Sequence, residues 1–90
     1  MSESDPQELP SIDFSTFVLS LSTTALYQLG LVPDPETGAA VTPNRVLARQ
    51  TIETLEMLRD KTRGNLDEDE SKLVDSLLYE LHMRFVEAGK

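Results

Sequence analysis

The residues with the clearest chemical potential in this chain are acidic. Asp67-Glu68-Asp69-Glu70 sets four carboxylates in four consecutive positions, a run that could ligate calcium. An EF-hand loop counted from Asp67 requires glycine at its sixth position and glutamate at its twelfth. Those positions hold Lys72 and Leu78, so the motif fails. His82 is the single histidine and cysteine is absent, which leaves one borderline ligand for zinc. Acid–base chemistry would have to join His82 or Tyr79 to a carboxylate such as Glu53, Glu56 or Glu80. No serine-nucleophile signature accompanies them, and carboxylates on helix surfaces are ordinarily solvated or paired with arginine. A lone histidine on a mostly apolar segment reads as a packed residue. The four glycines follow neither the GxGxxG nor the GxxxxGK spacing of phosphate-binding loops. The expectation is no catalytic residue, no metal site, no cofactor and no enzymatic activity.

Charge narrows the partners. The net charge is −8, unevenly spread. Residues 1–13 hold four acids and no base, residues 43–63 five bases against three acids, and residues 64–90 seven acids against three bases. Nucleic acids and anionic membrane surfaces attract basic proteins, so neither is an expected partner. The N-terminus, Met1-Ser2-Glu3-Ser4-Asp5-Pro6, lacks the positive charge and apolar run of a secretory leader. The most apolar stretch, Phe14 to Leu29, is 16 residues with six Ser or Thr, too short and too polar to span a bilayer. A soluble, cytoplasmic protein is expected.

Three helices must position whatever the chain does. Residues 1–11 have the composition of a disordered acidic tail, and 12–90 read as a single helical domain. The first helix, 14–29, opens on Asp13 as N-cap and closes on Gly30 at C′. Phe14, Phe17, Val18, Leu21, Ala25 and Leu29 mark one face at spacings of three and four. The opposite face is Ser15, Thr16, Ser20, Thr23 and Thr24, with no charge from Phe14 to Pro33. A surface helix normally carries Lys and Glu, so this one reads as buried or interfacial. A connector rich in Pro, Asp and Gly follows, with Gly38 expected at a positive φ.

The second helix, 43–63, is expected to open with Thr42 as cap and Pro43 in the first turn. Val46, Leu47, Ile52, Leu55 and Leu58 form its predicted core stripe, and Gly64 closes it. Arg59, Lys61 and Arg63 sit in its last turns, where the helix dipole favours cations. The third, 68–88, begins with a capping box of Asp67 and Glu70. Its remainder is apolar around most of its circumference, leaving Lys72, Ser76, Glu80, Arg84 and Glu87 as a narrow polar stripe.

Several blocks resemble a known family. Asp13-Phe14-Ser15-Thr16-Phe17-Val18-Leu19-Ser20-Leu21, Leu29-Gly30, Pro33 to Gly38, Lys61-Thr62-Arg63-Gly64-Asn65-Leu66 and Leu78-Tyr79-Glu80-Leu81 are similar to the small bacterial family called domain of unknown function 1844. The resemblance covers about residues 12–87. It implies a bacterial, stand-alone helical protein, and it carries no activity, cofactor or catalytic residue.

A 90-residue chain buries only about 60–65% of its unfolded surface, and small domains compensate with disulfides, metals or association. With disulfides excluded by the lack of cysteine and a structural zinc site disfavoured, association is the expected route. Two partner helices cannot cover a third helix that is apolar around most of its circumference. The expected architecture is therefore an all-α, three-helix domain packing as a homodimeric helical bundle. Its candidate interface comprises Phe17, Leu21, Tyr79, Met83 and Val86. The expected function is a homo-oligomeric structural or regulatory adaptor with an unidentified protein partner. The alternative is a helical module that holds a small apolar ligand or lipid.

Overall fold

The computed structural model describes residues 12–89; the acidic tail expected over 1–11 lies outside them. The described residues form α1 (Phe14–Gln28), α2 (Arg45–Lys61) and α3 (Glu68–Ala88), with no strand, and each helix packs on both others. None is long and apolar enough to cross a membrane.

Each helix start is set by a side chain that satisfies an amide left unpaired at a helix N-terminus. Asp13 Oδ1 accepts the Thr16 N–H at 2.8 Å. The Asp67–Glu70 capping box forms in both directions, at 2.8 and 3.0 Å. At α2 the expectation needs correction, because the cap is Asn44, whose Oδ1 accepts from Leu47 N–H at 3.1 Å. Thr42 and Pro43 remain in the connector. Asn44 donates its own N–H to the Gln28 carbonyl (2.7 Å), so the helix starts where the connector is tied back to the end of α1.

The end of α1 is a Schellman closure. Gly30 adopts φ 77° and donates to Tyr27 O, while Leu31 N–H reaches Leu26 O. The connector then folds on Asp34, whose carboxylate accepts the Glu36 and Thr37 amides and whose backbone pairs with Gly38 and Ala39. Gly38 takes the positive φ (73°) expected of it. Thr51 Oγ1 donates to Gln28 Oε1 at 2.7 Å, a second tie between α1 and α2.

The core is Val18 and Ala25 from α1, Ile52 and Leu55 from α2, and Val74, Leu78 and Leu81 from α3. Leu29 and Ala48 are also buried. Full burial of a leucine contributes about 1.5–3 kcal/mol, so Leu55, Leu78 and Leu81 anchor the three-way contact. The predicted α2 stripe shifts by part of a turn. Ala48, Ile52 and Leu55 point inward, whereas Val46 and Leu47 are exposed. Val46 lies six residues before Ile52, which is about 240° away on an ideal helix, so the two cannot share a face. In α1 the buried line runs Val18, Ser22, Ala25 and Leu29, leaving Phe17 on the rim at 41% exposure. Ser22 is small enough for its neighbours to pack closely.

Candidate functional site

Two outer surfaces stand apart from the solvated remainder. The first lies on α3. Its inner side is spent on Val74, Leu78 and Leu81, with Leu73, Leu77 and Phe85 packed beside them. Tyr79, Met83 and Val86 follow one another at spacings of four and three, so they form a separate line. They are 68%, 45% and 58% exposed. Together with His82 and Glu87 they line a shallow groove of about 410 Å³. Phe17 and Leu21 do not line it: Phe17 is exposed on α1, and Leu21 is half-buried against the core.

His82 is not a packed residue. Its ring is half-exposed, and Nε2 stands 2.7 Å from Glu56 Oε2 on α2, its one hydrogen-bond partner among the described residues. An imidazole on a carboxylate is two parts of a nucleophilic triad; among the described residues no hydroxyl is hydrogen-bonded to His82. Beside this line Arg84 pairs with Glu80 at 2.7 Å and with Glu87 at 3.6 Å, which accounts for the C-terminal part of the polar stripe. The acidic run carries the α3 cap and a Lys72–Glu68 pair at 3.2 Å. Among the described residues no three His, Cys, Asp or Glu side chains cluster as metal ligands would.

The second surface is the outer side of α1. Ser20 Oγ donates to Phe17 O (2.7 Å), Thr23 Oγ1 to Leu19 O (3.1 Å) and Thr24 Oγ1 to Ser20 O (3.0 Å). With the hydroxyl protons turned into the helix, this uncharged face can be covered without stranding a donor. At its C-terminal end Thr23, Thr24 and Tyr27 form one wall of a groove of about 580 Å³. Residues Val32 to Glu36 form the other.

Two arrangements escaped the sequence reading. Arg45, at the start of α2, donates from Nη2 to the Phe85 carbonyl at 3.0 Å and lays its guanidinium 3.9 Å from the centre of the Phe85 ring. Phe85 O belongs to the last four carbonyls of α3, whose own last turn has no base among the described residues. A remote arginine thus supplies the cation that the helix end favours. Gly89 leaves it room, since a Cβ there would come within 2.8 Å of Nη2. The sequence signal was that missing base, and nothing in it pointed to Arg45. The second is the groove itself, of which only the Pro/Asp/Gly-rich wall was visible. By contrast Arg59 and Arg63 both bond Asp60 Oδ1, at 3.2 and 3.0 Å. The Arg59 guanidinium holds that carboxyl below its ordinary value, so these two arginines of the basic cluster are engaged internally.

A family model described as "Domain of unknown function (DUF1844)" matches residues 11–87. No curated protein and no solved structure matches the chain.

Proposed function

The chain belongs to this family, and from a membership that brings no activity with it we propose a non-enzymatic, homo-oligomeric structural or regulatory interaction protein. The observation that carries the reading is the exposed line Tyr79–Met83–Val86, on a helix whose opposite side already fills the core. A two-fold axis beside this line sets it against its own copy, so each apolar side chain counts twice. Association must offset at least about 4 kcal/mol of lost freedom, and stable interfaces cover roughly 800 Å² per partner. The line alone is too small for that. His82 and Glu56 beside it would supply part of the remaining area. The alternative, a small apolar ligand held between helices, has less support. Both grooves lie on outer faces and not among the core residues.

The test is molar mass by light scattering after size exclusion, over a range of concentrations. A mass of about 20 kDa or a higher multiple of the 10.0 kDa chain is expected for the wild type. Met83→Glu, with helicity checked by circular dichroism, is expected to shift the population to monomer. A Met83→Glu variant with unchanged mass would refute this placement, and a wild-type monomer at every concentration would refute the oligomer.

A further inference from the structure

The groove between α1 and the connector lies on neither the core nor the α3 line, and its chemistry favours a different occupant. We propose that it binds a peptide segment of a partner protein carrying lysine or arginine flanked by apolar residues.

Its lining is Thr23, Thr24 and Tyr27 on one side and Val32, Pro33, Asp34, Pro35 and Glu36 on the other. The two acidic residues lining it, Asp34 and Glu36, are in no ion pair among the described residues, as is also true of Asp13, Glu53, Asp67, Asp69, Glu70 and Asp75, but these two line a groove with apolar walls. No base lines the groove. A cation held over Tyr27 gains from the ring face as well as from the two carboxylates, and a net charge of −8 draws it in from a distance.

The site is also prepared for covering. Asp34 holds the connector through the amides of Glu36 and Thr37, and Pro33 and Pro35 fix their own φ angles beside it. Little order remains to be imposed on binding. The Thr23 and Thr24 hydroxyls are already bonded within α1, so apolar atoms laid over them strand no donor. The uncharged face continues from the groove along α1 through Ser20 to Phe17, giving an extended peptide a path that a compact amine would not use.

The experiment is an amide NMR titration of the full chain with an acetylated, amidated pentapeptide, Leu-Arg-Leu-Arg-Leu. The controls are the same peptide with Gln or Glu in place of Arg, and free arginine amide. Shifts are expected at Thr23, Thr24, Tyr27, Val32 and Glu36, with saturation for the Arg peptide alone. Glu36→Lys sets like charges together and is expected to weaken binding at least about tenfold. Met83→Glu leaves this face untouched, so it should bind as the wild type does whatever its oligomeric state. Equal binding of the Gln peptide, equal affinity for arginine amide, or equal shifts at Asp67–Glu70 would each overturn the proposal. So would the absence of shifts at millimolar peptide.

Discussion

Asp13 and Asp60 tie part of the fold's stability to the ionisation of single side chains. The Thr16 amide bonded to Asp13, and the Arg59 guanidinium bonded to Asp60, hold both carboxyls below the ordinary value of 3.8. Folding thus favours their ionised forms. That contribution is complete above the ordinary value and is lost as pH falls through the lowered one. Melting temperature should therefore hold steady down to about pH 4 and fall below it. Asp13→Asn keeps an acceptor for Thr16 but cannot titrate, so its fall should be shallower. Circular dichroism melts from about pH 5 to pH 2.5 would show this, and an unchanged slope would place the sensitivity elsewhere. Asp13 and the Asp67–Glu70 box were legible in the sequence because a cap and its amide lie three residues apart. Arg45 was not, because its carbonyl lies 40 positions away. The His82–Glu56 pair, across 26 positions, was legible only as one of several pairings of His82 or Tyr79 with a carboxylate.

At the scale of elements, the helix ends differ in how much they tolerate. Gly30 and Gly64 both have positive φ. A Cβ on Gly64 meets nothing within 4 Å, whereas one on Gly30 would come within 2.9 Å of both the Val41 carbonyl oxygen and Pro43 Cγ. Gly64→Ala should lose about 1 kcal/mol from backbone strain alone, and Gly30→Ala about 2–3 kcal/mol as the connector is displaced. Urea denaturation of the two variants measures the difference, and equal losses would mean that the connector yields freely. The number, order and type of helices were readable from the helical period, and in α1 and α3 also from caps that stand where they were expected. The rotation of α2 was not. Val46 and Leu47 are larger than Ala48, and size alone nominated them. Which of these points inward is settled by the angular spacing to Ile52 and Leu55, and there Ala48 fits.

For the molecule as a whole, the surplus of apolar side chains on α3 was legible as a count that two partner helices could not cover, and Tyr79, Met83 and Val86 are its exposed part. The α1–connector groove was not legible, since it exists only once Tyr27 and Pro33 are brought together by the turn at Gly30. The Arg45–Phe85 contact joins the opening of α2 to the close of α3. Arg45→Lys keeps the charge but loses the planar stack and fork. It should raise hydrogen exchange in the last turn of α3 by about tenfold, the equivalent of one charged hydrogen bond; unaltered exchange would mean the contact adds nothing to that helix end. The same contact has a consequence for the chain during its synthesis. A ribosome adding about 5–20 residues per second makes Phe85 roughly 2–8 s after Arg45, while a helix forms in about a microsecond. Until α3 has been made, Ala48, Ile52 and Leu55 have only α1 to pack against, so synthesis of α3, not helix formation, times completion of the core. Slow codons between the two positions would lengthen the period in which a chaperone, or another nascent copy, can reach the half-built surface.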